Sequence, residues 1–435
     1  MEPANREENE RHEDRDPQGR ARQGHLELGR WAGLRPEELS DLGVVALSPG
    51  IPPRPGGQTG EAVLVGLKDC AWERSDDALI VMLDRRAMTH LVDRDGSVEL
   101  LLTTLRDQPR SPEDLRQVLV AAGVQVDAEQ LAAVLDVLDQ AGLVEDATGL
   151  GLDDPQLDAR HFSNLAFFGQ FSDLKCSRAS FLRRMRRAHV VQLGVGGGGS
   201  AIVQCLAGMG VGRLTLVDRD DVEPRNFSRQ FLYRHADLGR SKVDRAAEWV
   251  REYDPTIEVR AVDRWIGRAD DLDGLFDGAD VVTGSFDEPP GAQAWVNQAV
   301  VGAGIPLVSG ALFGTQLVYS SVDPGRSACQ ACAAARLSDG QSPGAEGLAV
   351  RLDERLPRTN RLTGPVAAIV GALIAQEAAR YITGFQPPYA AGAVVFLDVR
   401  NGFESHRMPI TRDPDCEICR QAADVRSRRP SAVRR

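Results

Sequence analysis

A glycine-rich loop between a short apolar run and a helical pattern has the spacing of a phosphate-binding turn. In "HVVQLGVGGGGSAIVQCLAGMG", Gly194, Gly196 and Gly199 form GxGxxG, and Gly197 lies within the same loop. Backbone N–H groups of such a loop, and of the helix that follows it, can hold a phosphate group. Asp218 ends the next apolar run, "RLTLVD", where a carboxylate can accept hydrogen bonds from ribose hydroxyls. Together these features predict a nucleotide site, and NAD and ATP both remain open at this point.

The stretch "VEPRNFSRQFLYRHADLGRSKVDRA" follows this carboxylate on the side where a triphosphate would extend. Its candidate ligands are Asn226, Arg229, Gln230 and Lys242. Attack on an α-phosphorus moves negative charge onto phosphate oxygens, which a guanidinium and an ammonium can stabilise. Lysine is rare among the 51 basic residues, so a lysine at this place indicates a need for an ammonium group. The three lysines are Lys68, Lys175 and Lys242.

Asp287, in "VVTGSFDEP", follows a later strand at the edge where sheets of this kind bind ligands. Its carboxylate is a suitable ligand for Mg²⁺. Hydride transfer needs neither a metal carboxylate nor several cationic side chains. The set of residues therefore favours ATP with Mg²⁺ over NAD.

Two CxxC pairs, "CQAC" and "CEIC", lie in turn-like stretches and can converge into one tetrahedral zinc site. The four candidate ligands are Cys329, Cys332, Cys416 and Cys419. Four thiolates leave no coordination position for water, so we predict structural zinc rather than a catalytic or redox centre. The other three of the seven cysteines are scattered, which is typical of a reducing cytosol and not of a disulfide framework.

The elements that position these residues alternate between strands and helices from His189 onward. Apolar runs such as "HVVQL", "RLTLVD", "IEVRAV" and "IPLVSG" are separated by helical patterns, which is typical of a largely parallel sheet. We predict a doubly wound, Rossmann-like α/β domain over residues 151–420, with helices on both faces of the sheet.

The sequence pattern of residues 26–150 predicts a second, smaller domain. Short β-like runs occupy residues 61–102, and two helical patterns follow, "SPEDLRQVLVAAG" and "DAEQLAAVLDVLDQAGLVED". Each begins with a Ser or Asp cap and stops at Gly. The order suggests a winged-helix-like module, whose acidic helices argue against DNA as its ligand. Residues 1–25 and the basic tail 421–435 are predicted to be disordered, because charged stretches cannot offset their own ordering entropy.

The composition restricts the possible partners. A net charge of −12 and a pI near 5.2 argue against a general affinity for nucleic acid. We expect no apolar run to be long enough to span a bilayer. The charged N-terminus, "MEPANREENERHEDRDPQG", does not resemble a secretory signal, so we expect a cytoplasmic protein.

Taken in order, "GVGGGGS", "LVDRDDVEPRNFSRQ", "GRSK", "GSFDEP", "CQAC" and "CEIC" resemble the ThiF/MoeB superfamily of adenylating proteins, the fold shared with ubiquitin-activating enzymes. The resemblance covers about residues 160–420. Within it, "SFDEPPGAQAWVNQAVVGAGIPLVSGALFG" is similar to the microcin C adenylating enzyme and its peptide-modifying relatives.

The resemblance implies roles for individual residues. Asp218 would bind ribose, Asp220 and Asn226 would support the nucleotide, and Arg229 and Lys242 would contact the phosphates. By the same resemblance, Asp287 would hold Mg²⁺. Relatives are homodimers, and they usually carry an Arg-x-x-Arg-like segment that reaches the neighbouring subunit's site. Here Arg160 is present in "ARHFSNLAFFGQF" without a second arginine, so it is either a phosphate ligand in trans or an ordinary surface charge.

These features predict ATP-dependent adenylation of the C-terminal carboxyl or amide of a ribosomally made precursor peptide, with pyrophosphate release. The N-terminal module would hold the leader of that peptide. No cysteine lies between Cys332 and Cys416, so transfer to an enzyme thioester is not expected. One alternative is a non-catalytic ThiF-like protein that presents a precursor peptide to another enzyme. A further alternative, an NAD-dependent oxidoreductase, has only the glycine loop in its favour.

Overall fold

The computed structural model describes residues 25–26, 63–84, 87–286, 289, 291–338 and 360–426. The chain divides into two compact units. The first comprises Met1–Arg54 and Glu61–Glu145, and the second comprises Pro55–Gly60 and Asp146–Arg435. The predicted disordered ends lie outside the described residues except for His25 and residues 421–426. Those last six residues are helical, so the prediction of a disordered tail from 421 was wrong there.

The first unit is built on an antiparallel sheet followed by three helices. Its strands are β1 (His25–Leu26), β2 (Val65–Leu67), β3 (Ala71–Ser75), β4 (Ala78–Asp84) and β5 (Ala87–Val92). Its helices are α1 (Ser97–Asp107), α2 (Pro112–Ala121) and α3 (Ala128–Gln140), and β6 (Val144–Asp146) pairs with β2. Strands β3, β4 and β5 are antiparallel neighbours, and β1 pairs in parallel with the free edge of β5. The winged-helix-like interpretation of this unit stays a prediction.

The capping signals for two helices are confirmed, and the β-like interpretation of residues 61–102 was wrong only from residue 97 onward. Ser111 accepts a hydrogen bond from the Asp114 backbone at the start of α2, and Asp127 forms a capping box at the start of α3. Residues 97–107 form α1 instead of a strand, because the buried Asp93 carboxylate accepts backbone N–H groups from its first turn. The buried residues of α1 also recur at helical spacing (Val98, Leu101, Leu102, Leu105).

The second unit contains a sheet of eight strands. They are β7 (His189–Leu193), β8 (Arg213–Asp218), β9 (Glu258–Asp263), β10 (Val281–Gly284), β11 (Leu307–Phe313), β12 (Gln316–Val322), β13 (Ala393–Asp398) and β14 (Glu404–Pro409). Their order is β14-β13-β12-β11-β10-β7-β8-β9. Five neighbouring strands of this sheet are parallel: β9, β8, β7, β10 and β11. Strands β12, β13 and β14 continue as an antiparallel meander.

Helices cover both faces of this sheet, which confirms the predicted doubly wound α/β fold. They are α4 (Pro155–Arg160), α5 (Phe162–Gly169), α6 (Arg178–Arg187), α7 (Gly197–Gly208), α8 (Lys242–Tyr253), α9 (Ala292–Ala303), α10 (Gln330–Ser338), α11 (Gly364–Thr383) and α12 (Glu417–Arg426). Strand β7 is buried along its whole length because its successive side chains pack into two separate cores, one on each face of the sheet. Val190 packs in the core that includes α6, α7, α8 and α11, and Val191 packs in the opposite one.

Helix α11 is an exception to the expectation that no apolar run is long enough to span a bilayer. By length and composition alone, its 20 residues could cross a membrane, so the statement that no apolar run is long enough was too strict. In the second unit, however, α11 packs closely on α7. A Cβ on Gly371 would lie 2.5 Å from the Ala201 Cβ and 2.8 Å from the Gly198 carbonyl oxygen. The small residues of α11 therefore allow close packing against the helix that follows the glycine loop.

Candidate nucleotide site and cysteine cluster

The glycine loop lies at the carboxyl edge of β7, where the strand order reverses between β7 and β10. In open α/β sheets, this switch point forms the ligand crevice. Gly194 has φ 78°, a left-handed conformation that glycine adopts readily, and its N–H donates to the Val217 carbonyl (2.8 Å). A Cβ on Gly199 would lie only 2.0 Å from the Gly194 oxygen. These two positions require glycine, and the loop leads directly into the N-terminus of α7.

Three buried polar side chains beneath the loop were missed by the sequence analysis. The Gln192 amide donates to the Gly194 carbonyl (2.7 Å) and accepts from the Thr283 hydroxyl (2.5 Å), which links β7 to β10. The Tyr233 hydroxyl donates to the Val195 carbonyl (2.6 Å), and burial raises its pKa well above the ordinary value. A polar residue within the apolar run "HVVQL" was the one available signal. These contacts fix the shape of the loop before any ligand binds.

Asp218 ends β8 directly beside this loop. Its carboxylate accepts hydrogen bonds from the backbone N–H groups of Val195 (2.7 Å) and Asp220 (2.9 Å). Burial raises the pKa of Asp218, and the two N–H groups partly oppose that shift. Asp218 therefore attaches the loop to β8 and places a carboxylate at the position predicted to meet a ribose.

Arg229 lies against the start of α7. Its Cδ is 3.3 Å from the position that a Cβ would occupy on Gly197, and its Nε is buried without a hydrogen-bond partner among the described residues. One terminal nitrogen of the guanidinium donates to the Arg225 carbonyl (3.1 Å). Burial lowers the pKa of Arg229, and the nearby Arg225 adds to this shift. A guanidinium remains charged under such conditions, so this one is a cation suited to an anionic ligand.

Asn226 and Gln230 flank this arginine and are both buried. The Asn226 side chain accepts from the Glu223 backbone N–H (2.9 Å), so it shapes the turn. The Gln230 amide nitrogen lies 3.8 Å from the position of a Cβ on Gly196. Its oxygen is buried without a partner in the described part of the chain.

Lys242 is the first residue of α8 and lies beside the same loop system. Its ammonium donates to the Asp220 carboxylate (2.8 Å), and its backbone N–H donates to the Asp220 carbonyl (2.9 Å). The lysine side chain is 6% exposed and that of Asp220 is 59% exposed. The ammonium is thus held below the surface by a partner that remains accessible to solvent.

Most predicted residues therefore meet at the carboxyl edge of β7 and β8. They are Gly194, Gly196, Gly197, Gly199, Asp218, Asp220, Asn226, Arg229, Gln230 and Lys242. Arg160 is not among them, because it forms an ion pair with Asp254 (3.1 Å) and donates to the Tyr253 carbonyl (2.8 Å) at the far end of α8. Its role in trans stays a prediction. Asp287, the predicted Mg²⁺ ligand, lies outside the described residues.

A cleft opens from the end of β10 along the opposite face of the sheet. It is bounded by β10, β11, β12, α9 and α10, and its wall includes Phe286 and Phe313. Its lining is mostly apolar, with Ser309 and Gln330 among the polar exceptions. The Gln330 amide donates to the Ser309 hydroxyl (2.7 Å), and its own oxygen is buried without a partner among the described residues.

The four predicted metal ligands converge near the start of α10. The Sγ–Sγ distances are 3.9 Å for Cys329–Cys332 and 3.7 Å for both Cys329–Cys416 and Cys332–Cys419. All four sulfur atoms lie within 4.8 Å of one another. A tetrahedral site with metal–sulfur bonds of about 2.3 Å has edges of about 3.8 Å, so the cluster fits one ion. Burial raises the pKa of Cys416 and Cys419, and a bound cation would favour their thiolates instead.

The glycine loop, its acidic and basic neighbours and most of the Cys₄ cluster lie within the region that a protein-family model matches. The chain belongs to the ThiF family, whose model matches residues 169–418. The resemblance stated from the motifs is thereby confirmed. The family assignment covers the predicted nucleotide residues and three of the four cysteines.

Curated relatives of this chain are named adenylyltransferases. Mus musculus adenylyltransferase and sulfurtransferase MOCS3 is 33% identical over 244 residues, which is 56% of this chain and 50% of that protein. Salmonella typhimurium molybdopterin-synthase adenylyltransferase is 30% identical over 251 residues, 54% of this chain and 89% of that protein. The chain therefore spans about half the length of the MOCS3 relatives and most of the bacterial one.

Among solved structures, Escherichia coli MccB, a microcin C7 biosynthetic enzyme, shares the fold. Its structure with ATP has a TM-score of 0.64 and 18% identity, and it covers 82% of this chain and 99% of MccB. Other structures of MccB contain MccA. The likeness to MccB extends over a larger share of this chain than the family match does.

Proposed function

We propose that this protein transfers AMP from ATP to the C-terminal carboxyl or amide of a ribosomally made precursor peptide and releases pyrophosphate. The observation that carries the proposal is the meeting of Arg229, Lys242 and the glycine loop at one edge of the sheet. Two cations beside a phosphate-binding turn suit a group that gains negative charge during displacement at phosphorus. Solved structures of MccB with ATP and with MccA support the same interpretation.

In this proposal, the start of α7 holds phosphate oxygens, and Asp218 accepts hydrogen bonds from ribose. Arg229 and Lys242 stabilise the charge that develops as pyrophosphate leaves. Mg²⁺ would neutralise phosphate charge, with Asp287 as its proposed ligand. The peptide's terminal oxygen attacks the α-phosphorus directly, so no enzyme nucleophile is required. A later enzyme thioester is not expected, since burial raises the pKa of Cys205 and no cysteine lies between the two CxxC pairs. Catalysis therefore comes from positioning and charge stabilisation.

The two halves of the peptide would bind at different places. The terminal residues enter the apolar cleft lined by Phe286, Phe313 and Gln330, which starts at the nucleotide edge. The leader is held by the first unit, through strand addition or in a groove. Because β1 of the same chain already pairs with β5 through His25 and Leu26, a leader strand would add beside β5 only by displacing β1.

A second candidate is adenylation of a small sulfur-carrier protein. Sequence identity favours it, because Escherichia coli ThiS adenylyltransferase is 30% identical over 240 residues while MccB is 18% identical. The peptide is preferred because the likeness to MccB covers 82% of the chain, against 54% for the ThiS enzyme. A non-catalytic docking role is disfavoured, because it leaves Arg229 and the buried Lys242 without a task.

The test is ATP–pyrophosphate exchange by the full chain with three substrates. They are a precursor peptide encoded beside the gene, the same peptide without its leader, and ThiS. We expect exchange with the precursor, a KM at least about tenfold higher without the leader, and no exchange with ThiS. Efficient exchange with ThiS alone would establish the sulfur-carrier function. Binding of the precursor without exchange would establish the docking role.

We further propose that the Cys₄ cluster holds one structural zinc ion that joins α12 to the start of α10. Replacing Cys416 and Cys419 together by serine should abolish zinc binding and lower the melting temperature by several degrees, because metal binding contributes to folding. Inductively coupled plasma mass spectrometry and calorimetry measure both effects. Cys70→Ser, a change outside the cluster, is the matched control and should keep the zinc. Zinc retained by the double variant contradicts this assignment.

The homodimer and the cytoplasmic location also remain proposals. In a dimer, Arg160 would have to leave Asp254 to reach the partner subunit's nucleotide site. Light scattering of the full chain measures the assembly, and a monomer at catalytic concentration would exclude any role in trans for Arg160.

A further inference from the structure

An exposed cation–aromatic pair lies next to the proposed ribose carboxylate and has no task in the proposed reaction. Arg219 directly follows Asp218 at the end of β8, and its guanidinium carbon is 4.4 Å from the ring centroid of Trp265. The indole is 37% exposed, although large apolar side chains are usually buried. Among the described residues, Arg219 makes no ion pair or side-chain hydrogen bond, so the indole is its one recorded partner.

The position of this pair follows from the order of the strands. Asp218 and Asp263 are register partners at the carboxyl ends of β8 and β9, and the Arg264 N–H donates to the Asp218 carbonyl (3.3 Å). Trp265 is the next residue. Strands lie about 4.8 Å apart, so the glycine loop at β7 and this indole beyond β9 are separated by roughly 10 Å across the edge. A nucleotide whose phosphates lie at β7 and whose ribose lies at β8 extends its base in this direction.

The loop that carries Trp265 is ordered without any ligand. The Asp271 carboxylate accepts backbone N–H groups from Gly267 (2.9 Å) and Arg268 (3.0 Å), and its carbonyl accepts from the Arg264 guanidinium (3.0 Å). The Gly267 N–H first, with Arg268 in addition, holds the pKa of Asp271 below its ordinary value. A Cβ on Gly267 would lie 2.9 Å from the indole, so the loop closes tightly on one ring edge. The backbone of the loop that carries the exposed ring is thus held by contacts within the chain.

We propose that Arg219 and Trp265 form the platform on which the purine base of the nucleotide stacks. An indole and a guanidinium each offer a flat face that a purine can cover, and such stacking needs no base-specific hydrogen bond. This inference rests on the proposed nucleotide site and adds the residues that bind the base. The phosphate ligands and this platform would then contribute to affinity independently of each other.

The test compares a nucleotide with a ligand that has a phosphate chain but neither ribose nor base. Isothermal titration calorimetry of the full chain with Mg²⁺ measures the affinity for the non-hydrolysable ATP analogue AMPCPP and for inorganic tripolyphosphate. Trp265→Ala and Arg219→Ala should each weaken AMPCPP binding about tenfold, the size of one aromatic stacking contact, and leave tripolyphosphate within about twofold. Trp265→Phe keeps a ring and should retain most of the affinity. Trp249→Phe is the matched control, because Trp249 stacks on Tyr253 within α8.

Each other outcome overturns the proposal in a recognisable way. Unchanged AMPCPP affinity in both variants shows that the base does not contact the pair. Equal losses for AMPCPP and tripolyphosphate in Arg219→Ala show a phosphate ligand instead of a base platform. If the unmodified chain binds both ligands equally well, the phosphate site stands and the base platform fails. If it binds neither, the proposed function fails as well.

Discussion

Arg229→Ala should lower the rate of pyrophosphate release about 10³-fold while the fold stays intact. The guanidinium lies against the start of α7 with its Nε unpartnered among the described residues, so its removal breaks no internal ion pair that they show. The expected loss is that of a cation that meets charge developing in the transition state. Single-turnover measurements with ATP and precursor, at saturating concentrations of both, separate this effect from weaker binding.

The neighbouring Arg225 provides the matched control for this prediction. Its side chain is exposed and forms an ion pair with Glu223, one turn away from Arg229. Arg225→Ala removes the same kind of charge and should change the rate less than about threefold. Equal losses in the two variants would mean that net positive charge matters here and that the position of Arg229 does not.

Lys242→Ala should lower the same rate about 10²-fold. The ammonium is 6% exposed and is held 2.8 Å from the Asp220 carboxylate, beside the loop predicted to bind phosphates. Because Asp220 is itself largely exposed, loss of the pair should cost at most about 1 kcal/mol of folding free energy. Lys242→Arg should recover little activity, since a planar guanidinium does not replace a compact ammonium at a confined position.

Lys175 is the control for the lysine prediction, because it is one of the three lysines and lies exposed in a turn. Lys175→Ala should keep both the rate and the melting temperature. A normal rate in Lys242→Ala would show that the Lys242–Asp220 pair only closes the start of α8. The assignment of the ammonium to the phosphates would then be wrong.

The parts of the fold that the sequence predicted are those coded by local patterns. The buried run ending at Leu193, the GxGxxG spacing and the carboxylate at Asp218 are close together in the chain, and they require one strand–turn–helix geometry. The two CxxC pairs were recognisable because thiols at that spacing have few other uses in a reducing compartment. Helix caps at Ser111 and Asp127 are equally local signals.

The parts that the sequence did not predict depend on contacts between distant segments. The contact of Gln192 with Thr283 joins two strands that are neighbours only in the folded sheet. The β-like interpretation failed only for residues 97–102, because the carboxylate of Asp93 caps a helix that the "DRDG" turn signal concealed. The ion pair of Arg160 with Asp254 spans two helices, so no motif could have revealed it.

A crystal structure of the full chain with AMPCPP and Mg²⁺ shows directly which residues bind the nucleotide. We expect the phosphates at the start of α7, in contact with the guanidinium of Arg229 and the ammonium of Lys242, and the ribose hydroxyls on Asp218. A nucleotide bound with its phosphates away from both cations would contradict this expectation.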